Sequence, residues 1–291
     1  MAGSMGRGNQ SRNLAWLLVA GCAGLALAAE KTQELKYVAP PGATVSLIND
    51  VGPVTVRYAE GHKIVVKTKT SSDKVGVDVE QKGNRFEIRT HMLRPGSEEE
   101  QKVEYEIFLP AKVGITVRAN SGPIRVKGLR GSEVILEGDS SPVEVHEVSA
   151  AGQHLHVRTV SGNIALGDIS SAHLEIRSLS GDVSLQNVSG PKVQVTTTQG
   201  DIRYDGQFGA NGEYSLMSHS GNIDVALPEG ASVDMMAESV EGSASNDFPL
   251  QQKARSSFLP QKGRSFSGTS HSGSSSVQLS SFSGKIRVKK Q

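Results

Sequence analysis

The sequence predicts an all-β protein: a β-solenoid of stacked two-strand rungs, repeating every 19–21 residues, with an N-terminal antiparallel β cap. Three observations lead there. The segments VSGNIALGDI (Val160 to Ile169), LSGDVSLQNV (Leu179 to Val188) and TQGDIRYDGQ (Thr198 to Gln207) repeat one another at steps of 19 residues. On either side of each S-G-like turn, apolar residues alternate with polar ones, the mark of a strand with one buried face. The composition is rich in glycine (32 residues) and poor in aromatic residues (4%), which suits short strands around a narrow interior better than a thick core.

The chain opens with Arg7 and Arg12 ahead of an apolar stretch from Leu14 to Ala29. Its sixteen residues fall short of the roughly 20 that a membrane-spanning helix needs. A basic lead, an apolar middle and small residues at the exit describe a secretory signal peptide, drawn here as residues 1–28. Two processing chemistries compete. Ala26-Leu27-Ala28 fits ordinary signal peptidase, whereas Val19-Ala20-Gly21-Cys22 resembles a lipobox and makes Cys22 a candidate for lipidation. The residues after Cys22 stay apolar, which favours ordinary cleavage. Cys22 is the single cysteine, so no intrachain disulfide forms and cysteine usage does not report the redox compartment.

Residues 31–118 read as longer, less regular strands capping the repeat, because the open end of a stack has to be shielded. Val45 and Leu47, Ile64 and Val66, Phe86 and Ile88, and Val103, Tyr105, Ile107 and Leu109 alternate, and Arg94 to Lys102 reads as an exposed loop. The solenoid proper is placed at 119–291. Its anchors are Gly122, Ser141 (serine where glycine is usual), Gly162, Gly181, Gly200, Gly221, Gly242 and Gly284. Two and four residues after most anchors, and five and seven before, stand Val, Ile, Leu or Tyr. One such unit cannot bury its apolar side alone, but stacked units can. Glycine at the anchor is expected because a sharp turn asks for positive φ, and the Pro, Asn or Asp that follows it is a turn former. After Gly242 the apolar offsets fail, which marks an irregular rung. Residues 251–276, rich in Ser, Gly and Gln, read as a flexible excursion, and 277–288 as a last rung.

The S-G-D/N-I/V-x-L/V strands, Leu109-Pro110-Ala111 before the first full rung, Leu227-Pro228-Glu229-Gly230-Ala231 running into Glu238-Ser239-Val240-Glu241-Gly242, and the ending SFSGKIRVKK together resemble the DUF4097 family from about Thr44 to Lys290. The resemblance implies a bacterial envelope β-solenoid of the kind labelled adhesin, exported from the cytoplasm, with no established catalytic residues to carry over.

The search for chemistry yields little. His154 and His173 share one offset, and His156 lies on the same face, so the three form a candidate Zn²⁺ or Cu²⁺ set. The competing reading is an exposed, chemically mixed column, Glu133, His154, His173, Lys192, Glu213, and no metal is assigned. Glu137, Arg158 and Arg177 read as a cross-rung charge ladder rather than an anion site. Asp182 and Asp201 read as turn residues, since calcium-binding repeats need nine-residue spacing and paired glycines. Glu147 and Asp168 also read as turn residues. No G-x-S-x-G elbow occurs, and Ser71-Ser72-Asp73-Lys74 lacks the context of an S-x-x-K nucleophile. No catalytic residue and no cofactor are assigned. A formal charge of +1 without a concentrated basic face gives no nucleic-acid footprint.

The expected function is therefore a non-enzymatic, exported cell-envelope protein, in the periplasm or at the cell surface, presenting a solenoid surface for adhesion or for binding envelope components. Its expected partners are envelope polymers, other surface proteins or a second copy, with the membrane touched only through the signal peptide or a lipid anchor. The alternatives are a periplasmic scaffold or sensor in an envelope-stress response and, below that, a polysaccharide-active enzyme.

Overall fold

The computed structural model describes residues 30–251 and 261–291; the expected signal peptide and Cys22 lie outside the described residues. The described chain forms β1 (Lys31–Val38), β2 (Thr44–Val51), β3 (Val54–Tyr58), β4 (Lys63–Thr70), β5 (Val75–Lys82), β6 (Arg85–Met92), a short helix α1 (Glu98–Gln101), β7 (Val103–Leu109), β8 (Gly114–Ser121) and β9 (Ile124–Lys127). It continues through β10 (Val134–Ser140), β11 (Val143–Thr159), β12 (Ile164–Ser180), β13 (Val183–Ser189), β14 (Lys192–Gln199), β15 (Ile202–Gly206), β16 (Glu213–Ser218) and β17 (Ile223–Leu227). It ends with β18 (Val233–Ser239), β19 (Ser243–Asn246), β20 (Ser265–Thr269), β21 (Ser275–Ser281) and β22 (Lys285–Lys290).

Parallel pairing stacks these strands into two facing walls. In the first, β6, β2, β8, β10, the second half of β11, the second half of β12, β14, β16, β21 and β18 follow one another. In the second, β7, β3, β9, the first halves of β11 and β12, β13, β15, β17, β22 and β19 do so. Each rung is one strand of the first wall, a turn, and one strand of the second. Ile164, Val183 and Ile202 lie in one register column and are buried, as the periodicity requires. The aliphatic residues of both walls form one continuous core.

Sequence order and stacking order part company at both ends. β2/β3 is not terminal: β6/β7 lies outside it and β8/β9 inside. At the other end β21/β22 inserts between β16/β17 and β18/β19. The rung expected last, at 277–288, is thus the penultimate one. The boundary expected at 118/119 falls inside β8, whose rung stacks on β2/β3 by parallel pairing, so the repeat reaches further into the N-terminal region than its uneven spacing reveals. The antiparallel cap is present but thinner: β1 on β4, β4 on β7, and β5 on β6. Of the stretch 251–276, expected to be a flexible excursion, β20 is an antiparallel strand on β18 that closes the far end. Ser and Gly concealed it because its job is edge covering, with little apolar surface to bury.

The turn is where the sequence motif is explained. An added Cβ at Gly162, Gly181, Gly200, Gly221, Gly284 or Gly242 would overlap the backbone carbonyl of the stacked anchor next to it. Positive φ occurs at Gly52 and Gly122 but not at these six. Close approach, rather than left-handed backbone, therefore fixes the glycine at most anchors. The left-handed corner sits six residues on, at Gly128, Glu147, Asp168 and Asn187, which confirms Glu147 and Asp168 as turn residues.

Two polar ladders flank the glycines. Three residues before the anchor runs a buried hydroxyl column, Thr159, Ser178, Thr197, Ser218, Ser281, Ser239. Ser218 and Ser281 each accept from their own anchor amide (2.8 and 2.9 Å) and donate to the carbonyl of the neighbouring anchor (3.3 and 3.1 Å). One residue after the anchor, the side chains of Asn163, Asp182, Asp201 and Asn222 each accept the amide of the next rung, at 2.8–3.0 Å. Ser141 is the exception that keeps the rule. Its rung carries Gly138 at the hydroxyl position, where a Cβ would lie 2.8 Å from the Ser141 Cβ, and the Ser141 hydroxyl itself donates to the Ala119 carbonyl at 3.3 Å. Glycine and hydroxyl have exchanged places.

Two outcomes follow for purified protein in urea titrations. Gly181→Ala loses about 2–3 kcal/mol, since the methyl has no rotamer with which to escape a backbone carbonyl, and Ile164→Asp abolishes folding by burying an unpaired charge; wild-type midpoints for either would refute the stacking. Gly138→Ser and Ser141→Gly are each destabilising by roughly 1–3 kcal/mol. Combined, they restore the pattern of the other rungs and should show a favourable coupling above about 1 kcal/mol, whereas simple additivity would show that the two sites do not compensate each other.

Candidate functional site

With the inward positions filled by core and the turn polar groups tied to the backbone, the outward columns of the two walls are what remains for function. Parallel register places like offsets side by side, about 4.8 Å apart. Each column can therefore be read rung by rung.

The three candidate histidines are partly brought together. His154 and His173 pair in register on β11 and β12, with ring centroids 5.2 Å apart in an edge-to-face arrangement. His173 Nε2 lies 3.3 Å from Gln194 Oε1 on the next rung. His156 is in register with Glu175, Nδ1 to Oε2 at 3.4 Å, and Glu175 also receives Arg177 at 2.6 Å. Burial works to raise the Glu175 carboxyl, and the charges of Arg177 and His156 more than offset it, so it titrates below the usual glutamate range. The third imidazole is thus occupied with a carboxylate rather than turned toward the other two. Among the described residues there is no group of three or more His, Cys, Asp or Glu arranged to hold a metal ion.

The expected charge column is broken: Glu137 pairs across rungs with Arg118 instead of Arg158, Arg177 pairs with Glu175 on its own strand, and the other cross-rung ion pairs form elsewhere. Arg118 Nε meets Glu137 at 2.5 Å, and on the second wall Arg125 meets Glu144 at 3.1 Å and Arg287 meets Asp224 bidentately at 2.6 and 2.8 Å. Exposed pairs of this kind contribute about 0.2–1 kcal/mol each and set register more than stability. Asp201 is consumed structurally: it accepts the Asn222 amide and both of its oxygens face Asn222 Nδ2. Ser72 donates to the Glu100 carbonyl and Lys74 pairs with Glu100, so the S-x-x-K resemblance has become a brace holding α1.

The perturbed groups are buried tyrosines. Tyr105 is pushed up to about 12 by burial; its hydroxyl lies 2.8 Å from Thr90 Oγ1, which donates to Asn49. Tyr204 is raised further, again by burial, and Tyr214 packs edge-on to it with its hydroxyl donating to Gly190 and accepting from Gly209. These are aromatic plugs with satisfied hydroxyls where the core meets a corner. The sequence pattern placed them among the inward residues, at offsets that elsewhere hold Leu or Val, but did not mark their hydroxyl partners.

One outward feature lay unread in the sequence. Two residues before the anchors, the rungs present Val160, Leu179, Thr198, His219, Phe282 and Val240 in stacking order, and the Phe282 and His219 rings stack at 4.9 Å. This ridge is exposed, Leu179 by 53% and Val240 by 50%. Its visibility depends on knowing that Phe282 lies inside Val240, which linear order conceals.

The DUF4097 (Toastrack) family pattern matches residues 46–289, and the chain belongs to that family. It is similar in fold to a candidate adhesin from Bacteroides fragilis, at 12% identity over 90% of this chain and 97% of that one, with a TM-score of 0.53. It is also similar to a candidate lipid-binding protein from Parabacteroides distasonis (12% identity, 90% and 96% covered, TM-score 0.39) and a candidate cell-adhesion protein from Clostridium sporogenes (15%, 90% and 100%, TM-score 0.27). No curated protein matches. At such identities the likeness shows the fold alone. No helix among the described residues is long and apolar enough to cross a membrane.

The Glu175 cluster makes a pH prediction. A carboxylate whose folded pKa is depressed adds stability above its unfolded pKa and loses it as pH falls through the folded value. Glu175→Gln should therefore cost up to about 1 kcal/mol at neutral pH. It should also flatten the decline of stability below about pH 4.5, the acid side of the ordinary glutamate range. Denaturation midpoints of both proteins across that range check this, and parallel pH profiles would remove the assigned role.

Proposed function

We propose that this protein is exported to the cell envelope and works without catalysis, as a rigid surface for adhesion or for holding envelope components. The observation that supports the reading is the registered outward wall. Columns of His, Arg, Glu, Ser and Thr side chains repeat along an uninterrupted parallel stack, with their spacing held by the core. Such a wall suits a long polymeric or multivalent partner, for which many individually weak contacts add through proximity. The family membership and the adhesin-named neighbour from Bacteroides fragilis support the same direction. The basic–apolar–small pattern of residues 1–28 supports export.

The test is direct. Purified protein is incubated with peptidoglycan sacculi, glycan arrays and abiotic surfaces, and a deletion strain is scored for attachment. Retention on at least one material, weakened when outward residues of the second wall such as Arg203 and Ser184 are changed to Glu, is expected. Loss of binding to all of them together with unaltered attachment of the deletion strain would end the proposal.

A further inference from the structure

Of the large exposed apolar side chains of the described residues, Val160, Leu179, Phe282 and Val240 stand on the ridge and Met217 on the column beside it, against Val38, Met92 and Leu93 at the far N-terminal end. An apolar stripe of this kind marks a contact surface. Its charges say which contact. Four residues before the anchors, beside the ridge, Arg158 stands on the rung of Val160 and Glu238 on the rung of Val240. Both are exposed, and neither makes an ion pair or side-chain hydrogen bond among the described residues. The ridge is thus flanked by a base at its Val160 end and an acid at its Val240 end, with Leu179 and Phe282 apolar between them and Thr198 and His219 polar at its middle.

We infer that the ridge is an interface with a second copy of this chain, the two ridges packed antiparallel about a two-fold axis. A two-fold contact must be self-complementary. Reversing the stacking order about its midpoint sets Val160 against Val240 of the second copy, Leu179 against Phe282, and Thr198 against His219. The same operation sets Arg158 against Glu238, and it does so twice. No like charges meet. Arg264, whose guanidinium donates to the Val240 carbonyl at 3.2 Å, lies one step beyond the last rung and falls opposite Asp139, one step before Val160. A parallel arrangement would instead leave Arg158 of one copy and Glu238 of the other at opposite ends, five rungs apart. This association is independent of whatever the outer wall binds.

The test uses the full chain with Cys22→Ser. Val160→Cys and Val240→Cys together should give a covalent dimer under mild oxidation, and each single substitution should not. The two positions lie five rungs apart within one copy, about 24 Å, far beyond disulfide reach, so a bridge can only join two copies. By sedimentation equilibrium Arg158→Glu should raise the dimer dissociation constant at least about tenfold, because the reversal is felt at both ends, and adding Glu238→Arg should restore it. A chain that sediments as a monomer at all accessible concentrations overturns the proposal. So does cross-linking of the single variants as efficiently as the pair, or a failure of the charge exchange to rescue.

Discussion

Everything in this protein depends on how closely one turn lies on the next. At the anchor column the backbone carbonyl of one rung occupies the space where the neighbouring residue would carry its Cβ. Except at Ser141, only glycine occupies that column, and the approach holds both walls in register at once, because the anchor joins them. The flanking positions follow from the same constraint. At Gly221, Gly242 and Gly284 the anchor amide is met by the small hydroxyl three residues earlier, which adds little bulk. The amide after the anchor is met by Asn or Asp of the preceding rung. The S-G-D/N signature is therefore one hydrogen-bonding device spread over three positions, and Ser141 with Gly138 shows that the device tolerates rearrangement when space and hydroxyl move together.

The ends of the stack show what happens when a rung has a neighbour on one side only. The turn of β6/β7 is replaced by the loop bearing α1, whose Ser97 and Glu100 close a capping box. An insertion is tolerated there because no parallel rung stacks further out, only the antiparallel strands β5 and β4 of the cap. At the opposite end β19 carries Ala244 and Asn246 where other rungs place Ile and Val; Asn246 instead caps the backbone of Phe248, and the Phe248 ring is buried. In both cases the more regular rung, β2/β3 or β21/β22, lies inside and the irregular one outside. A terminal rung needs no partner-ready edge, and exposing a regular one would invite edge pairing.

How much of this the sequence disclosed depends on the kind of information. The inward residues Ile164, Val183 and Ile202 were legible because burial imposes a strict period. The anchor column was legible too, but its cause was not: positive φ and close approach both select glycine, and only coordinates separate them. Rung order at the C-terminal end was illegible, since Gly242 and Gly284 carry equivalent signals and a step of 42 residues fits either arrangement. The histidines show the opposite limit. Shared offset sets His154 beside His173, and the same rule sets His156 beside Glu175, each six residues before its anchor, a pairing that the search for three clustered imidazoles left unread.

The constraint that makes the fold also bounds where function can reside. The turn-side glycine, hydroxyl and Asx positions are spent on stacking, and the inward positions on the core, which leaves only alternate outward residues free to vary. Side chains on such columns stand one rung apart, in register along the stack. What a column does well is repeat. On the column beside the ridge the chemical groups run in a fixed order along the stack: Arg158 and Arg177 near one end, Thr196 and Met217 in the middle, Glu238 at the other end. An ordered series has a direction, and it is that direction, more than any single side chain, that a second solenoid or an extended polymer would have to read.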